Sequence, residues 1–244
     1  MADASTTNSM QRLSAPAESL ADQVAGSIRQ AVYAGTLQPG RLYSAYQMAE
    51  TLGVSRSPVR EALISLAEAG LVEFERNRGF RIILPAARDI AELFHLRLLL
   101  EVPATRRVAA HPTDKLVTEL REKVAEMDHA AAGHDEALFM RHDQQLHAAI
   151  LNAAGNSRLV AVVDSLRDKT RLLGASTVDR SRTLHDVCGE HLPIVDAIAA
   201  GDPAIAGRAM SRHITHTGKL LVAQALAETS AGASAEVLWS DVVG

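Results

Sequence analysis

With 244 residues, 47% of them hydrophobic and 22% charged, the chain is long enough for two modest domains and too apolar for a disordered protein. A net charge of −4 argues against nucleic acid unless the charge is unevenly spread, and aromatic residues at 3% leave the cores to Ala, Leu, Val and Ile, a composition that favours helices. No uncharged apolar run of 18 residues and no basic-then-apolar leader is present, and the single cysteine, Cys188, excludes an intramolecular disulfide; together these predict a cytoplasmic protein without a membrane partner.

Residues 1–16 are rich in Ser, Thr, Ala and Asn, lack periodicity and are expected to form a disordered arm. Leu20, Val24, Ile28 and Ala31 then recur as an apolar stripe between Glu18 and Ala34, a first helix ended by Gly35. Met48, Ala49 and Leu52 face inward from a short second helix, and Gly53 permits a sharp turn. Ser55 is placed to cap a third helix, with Pro58 in its first turn, Val59, Ala62, Leu63 and Leu66 on its inner face, and Gly70 at its end. Val72 and Phe74, then Phe80 and Ile82, alternate with polar residues as half-buried strands do, around a turn at Asn77-Arg78-Gly79. The pattern is a winged helix-turn-helix over residues 17–84.

Nothing in that core uses Arg56, Arg60, Arg78 or Arg81. Residues 17–84 hold seven arginines and seven acidic residues, but five of the arginines fall between Arg56 and Arg81. A neutral head with its positive charge on one helix and wing predicts double-stranded DNA as the partner. Arg56 and Arg60 are the candidates for reading guanine edges, and Ser55, Ser57, Arg78 and Gly79 for phosphate or minor-groove contact.

Residues 85–87 read as a linker. From residue 88 to 228 only helical periodicity is found, in segments 88–110, 113–132, 135–154, 156–174, 183–200 and 203–227, which predicts an antiparallel all-α bundle. Pro103 is expected to kink or interrupt the first of them. The tail, 229–244, is small and polar until Val237-Leu238-Trp239, a segment that either docks or frays.

Ten histidines invite sorting. Asp143 and His147 are four apart and share a helix face, and His191 and His213 sit on later apolar stripes. Spacing alone leaves two readings open: a mononuclear site for a divalent ion, zinc or nickel, or ordinary hydrogen-bonded core residues. His142, next to Asp143, must point away from that face. Arg97, set among Leu96, Leu98, Leu99 and Leu100, needs an anion if it points inward, with Glu101 as its nearest candidate; Asn156 is placed to cap the following helix.

The run GVSRSPVREAL, followed by L-x-x-x-GLV and RG and preceded by L-x-PG, resembles the N-terminal domain of the GntR family of bacterial transcription regulators. Tyr46 stands where some members carry a polar or basic DNA contact. LRLLLE, the segment His142 to His147, and EHLPIVDAIAAGDPAIAGRAMSRHI resemble the FCD effector domain of the FadR-type branch, and six helices are similar to its VanR-like subdivision. The resemblance implies a homodimeric, metabolite-responsive regulator, most often a repressor, binding operator DNA. It implies Asp143, His147, His191 and His213 as ligands of a divalent metal, and a small carboxylate effector held with help from Arg97 and Asn156. A metalloenzyme with a DNA-binding head, for which Glu190 is the one nearby acidic residue, and a regulator with a purely structural metal are the alternatives.

Overall fold

Helix α1 (Leu20–Tyr33) buries Val24, Ala25 and Ile28, whereas Leu20, expected on the same stripe, lies at its solvent-facing start. The computed structural model describes residues 19–33, 36–68, 70–83, 86–172, 177–178, 181–228 and 234–244. The expected arm 1–16, the stop at Gly35 and Pro85 of the linker lie outside these.

Strand β1 (Leu42–Tyr43) leads into α2 (Ala45–Leu52), whose first turn is capped by the Ser44 side chain accepting from the Gln47 amide. Gly53, at φ 66°, takes the left-handed conformation that lets the chain turn into α3 (Arg56–Glu68). That helix buries the four residues its spacing selects, Val59, Ala62, Leu63 and Leu66. Strands β2 (Val72–Glu75) and β3 (Gly79–Ile82) form the wing, and the sheet order β1-β3-β2 makes β3 central. Two-residue β1 was not expected, because a segment this short is defined only by its pairing with Arg81 and Phe80. The order also corrects the reading of Phe74: it stands opposite fully buried Phe80, but on an edge strand, and is 49% exposed.

The second part is helical: α4 (Ala87–Ala109), α5 (Asp114–Ala132), α6 (Glu136–Ala153), α7 (Ser157–Leu172), α8 (Leu184–Ala199) and α9 (Pro203–Glu228), followed by α10 (Ala235–Val243). Side-chain caps explain several starts: Thr113 accepts from the Leu116 amide, Asp135 from that of Leu138, and Thr183 pairs reciprocally with Asp186. Of the two outcomes expected at Pro103, an interruption does not occur: α4 runs through it, since buried Arg97 and Glu101 before it and Ala104, Thr105 and Val108 after it hold one face continuously inward. The tail docks as α10. Trp239 is buried against Gly218, where a Cβ would collide with its ring, and Arg88–Asp241 and Lys219–Glu236 ion pairs flank the contact. None of the helices among the described residues is long and apolar enough to cross a membrane.

Candidate metal centre and nucleic-acid face

The inner stripe of α6 runs Phe139, Asp143, Leu146, His147, Ile150, so helical period alone brings Asp143 and His147 into the bundle together. His191 enters from α8, between Val187 and Ile194, and His213 from α9, between Met210 and Ile214. One ligand atom from each of these four buried residues lies within 4.8 Å of the others.

The hydrogen bonds around the imidazoles fix their tautomers. The His147 Nδ1–H donates to Glu101 Oε2, His191 Nδ1–H to the Val187 carbonyl at 2.9 Å, and His213 Nδ1–H to Glu190 Oε2 at 2.8 Å. Each acceptor lacks a proton to give, so each ring carries a proton on Nδ1 and, in its neutral form, presents an Nε2 lone pair to the centre. His147 Nε2 and His191 Nε2 are buried and make no hydrogen bond. His191 Nε2 is 2.9 Å from Asp143 Oδ1, but the angles are not those of a hydrogen bond, and His147 Nε2 is 4.0 Å from the same oxygen. Nitrogen lone pairs and a carboxylate oxygen aimed at one point repel unless a cation stands between them. Three imidazoles, one carboxylate and anchored Nδ1–H groups fit a divalent metal.

Charges around the cluster are paired. Arg97 donates to Glu101 at 2.7 Å, Arg167 to Asp143 Oδ2, and Arg182 to Glu190. Burial pushes His147 down to about 4, with Arg167 adding to the effect, and burial with neighbouring His191 pushes His213 down to about 3. Burial opposes ionisation of Asp143, yet the paired Arg167 guanidinium outweighs it and holds the carboxyl well below the usual range. Glu190 is likewise drawn down to about 2 against its own desolvation, by His213 and Arg182.

A cavity of about 80 Å³ opens beside the cluster and is lined by Arg97, Asp143, Arg167, Arg182 and His213 among others. Arg97 thus lines the cavity and pairs with Glu101 at once. Asn156 is not brought there: it does not line the cavity, and its Oδ1 accepts from the Arg158 and Leu159 amides at the start of α7. His142 turns away to Glu126, 2.9 Å distant. Sequence reasoning missed the supporting role of Glu101 and Glu190 and overlooked Arg167 and Arg182. Only the i, i+4 spacing of Arg97 and Glu101 signalled any of this; Glu190 meets His213 across two helices, and Arg167 meets Asp143 from α7.

In the head, Ser55, Arg56, Ser57 and Arg60 are exposed at the start of α3. The Arg56 guanidinium lies over the Tyr46 ring, 4.5 Å from its centroid, so the tyrosine at the departing position supports a recognition-helix arginine. Arg78 is exposed at the wing tip, 3.1 Å from Glu75 in a pair too solvated to hold it firmly. Gly79 has its own structural reason: at φ 136°, a Cβ there would strike the Tyr43 carbonyl. Arg81, expected to be free for a partner, is instead engaged by Glu75 and the Gly40 carbonyl.

Residues 20–82 match the model of the bacterial regulatory proteins, gntR family, and residues 92–216 that of the FCD domain. The chain is similar to the "Probable D-xylose utilization operon transcriptional repressor" of Paenarthrobacter nicotinovorans, with 33% identity over 196 residues, 80% of this chain and 85% of the relative. It is 30% identical over 194 residues to the HTH-type transcriptional repressor NanR of Salmonella newport, covering 71% of this chain and 74% of that protein. Among solved structures, E. coli McbR/YncC shares the fold, with a TM-score of 0.63 at 20% identity over 84% of this chain and 98% of the other. A GntR regulator from Rhodococcus sp. RHA1 gives 0.60 at 27% identity, over 85% and 97%.

Proposed function

The chain belongs to the GntR family of bacterial regulatory proteins and carries an FCD domain, and from that premise we propose that it is a repressor whose operator binding is set by a divalent metal and a small carboxylate effector. Residues 17–84 form the DNA-binding unit and 88–228 the effector-binding and dimerising unit. A symmetric dimer sets two α3 helices into successive major grooves, with Arg56 and Arg60 reading bases and Ser55, Ser57 and Arg78 touching the backbone.

The observation that carries the metal is the convergence of buried His147 and His191 Nε2 atoms, neither hydrogen-bonded, on Asp143, with each Nδ1–H tied outward. His213 completes the set. A divalent ion bound there offers positive charge and open coordination positions to an acid. Arg97 and Arg167 line the adjoining cavity, each paired with a carboxylate, and their remaining N–H groups are donors for an anion there. That cavity favours an effector over a purely structural metal. Catalysis is disfavoured by the engagement of both neighbouring glutamates: Glu101 with Arg97 and His147, Glu190 with Arg182, His213 and His216.

The test is metal analysis of the untagged protein, purified without chelators, beside Asp143→Ala and His191→Ala. The parent is expected to hold about one zinc or nickel ion per chain, and both folded variants to lose it. A parent that takes up no ion from zinc, nickel or manganese solutions overturns the metal and leaves the DNA-binding head untouched.

A further inference from the structure

The cavity beside the metal cluster has a second polar end, built from Arg182, Thr177 and Thr217. Arg182, whose side chain is 6% exposed, donates from Nε to Thr177 Oγ1 at 2.7 Å and from Nη2 to Thr217 Oγ1 at 2.8 Å, while Nη1 donates to Glu190. Each threonine oxygen therefore receives a guanidinium proton, and its own O–H has to point elsewhere. Among the described residues neither hydroxyl donates to a protein acceptor, although Thr177 is only 5% exposed, and both line the cavity. Two hydroxyls turned into donors by one buried arginine form a ready seat for an oxygen-rich ligand.

Charge decides what kind. Arg97, Arg167 and Arg182 all line the cavity, but each is cancelled by its own carboxylate, Glu101, Asp143 and Glu190. The walls are neutral before a metal is added, and a divalent ion leaves two positive charges that a monocarboxylate neutralises only by half. The small volume restricts the occupant to a short chain.

We propose that the effector is a short-chain dicarboxylate, one carboxylate held at the Asp143 end beside Arg167 and the other accepting the hydroxyl protons of Thr177 and Thr217. This rests on the metal-and-acid reading above and adds to it the second anionic end. Arg182 is then a positioning residue, acting through the two hydroxyls.

The experiment titrates the full-length, metal-loaded protein with acetate, butyrate, malonate and succinate by calorimetry. Fluorescence of Trp239, the single tryptophan, serves as a second readout, since it packs with cavity-lining Phe94 around Gly218. Malonate or succinate is expected to bind at least about tenfold more tightly than either monoacid. Thr177→Val and Thr217→Val should each remove that preference while metal content and monoacid affinity stay unchanged, and Thr177→Ser and Thr217→Ser should retain it. Equal binding of succinate and butyrate by the metal-loaded parent, or valine variants that lose both classes alike, overturns the dicarboxylate and leaves the metal standing. A parent that holds no metal and binds no acid overturns both readings, and metal content measured on the same samples separates the two failures.

Discussion

His147 and His213 carry a penalty that the folded protein accepts only while they stay neutral. Burial is the main cause in each, lowering them to about 4 and about 3, whereas an imidazole in the unfolded chain titrates near 6.5. Below that value the unfolded chain binds more protons than the folded one, so stability falls as pH falls, by ~1.4 kcal/mol per pH unit for each histidine until its folded value is reached. Asp143 and Glu190, both lowered, act in the same direction at the acid end: their contribution is complete above the ordinary carboxylate range and is lost on descending through it. Urea unfolding of the metal-free protein at pH 7.5, 6.5, 5.5 and 4.5 should show a plateau above about 6.5 and a steepening decline below it. His147→Gln together with His213→Gln should flatten the upper part of that decline. A parent curve level down to pH 4.5 would mean that the rings are charged in the folded state and that the tautomers deduced from their Nδ1 contacts are wrong.

Helix α3 divides its faces between the core and the solvent, so the proposed recognition can be tested apart from stability. Val59, Leu63 and Leu66 are almost wholly buried, while Arg60 projects outward from between two of them. Arg60→Ala removes no core contact and is expected to leave the melting temperature unchanged while weakening specific operator binding by about 1–3 kcal/mol, as fluorescence anisotropy would measure. Unaltered affinity in the folded variant would take Arg60 out of the reading set. The same division explains what was legible beforehand. Helices with a continuous apolar stripe and a polar cap, such as α6 and α8, follow from local rules, and with them the pairing of Asp143 and His147. Strand β1 and the exposure of Phe74 were illegible because both depend on which strand is central. Arg182 escaped notice because its partners, Thr177, Glu190 and Thr217, gather around it only in the folded bundle.

At the scale of the molecule two hydrophobic cores meet along the first turns of α4. Leu93 packs against the core of the head, the cluster containing Val59, Leu63 and Phe80, while the next residue, Phe94, is fully buried in the bundle core and lines the cavity beside the histidine cluster. Consecutive residues on a helix point about 100° apart, so a small rotation or shift of α4 at Phe94 is delivered at once to the head through Leu93. This contact was beyond sequence reasoning, which placed the joint in a linker and had no means of seating Leu93 on either core. An effector changes operator affinity only by favouring one arrangement of the heads over another, and if the proposed control is right, the Leu93 contact is a physical link available to carry that preference. Leu93→Ala should therefore keep metal and acid binding at parental strength, and keep operator binding in the absence of acid within a few fold. The shift in operator affinity on adding saturating acid should shrink from about tenfold or more to nearly none. Anisotropy titrations with and without acid, run on both proteins at one salt concentration, measure that shift directly. A variant that responds as strongly as the parent would move the coupling away from α4, to the dimer interface or to the rest of the connection between the two units.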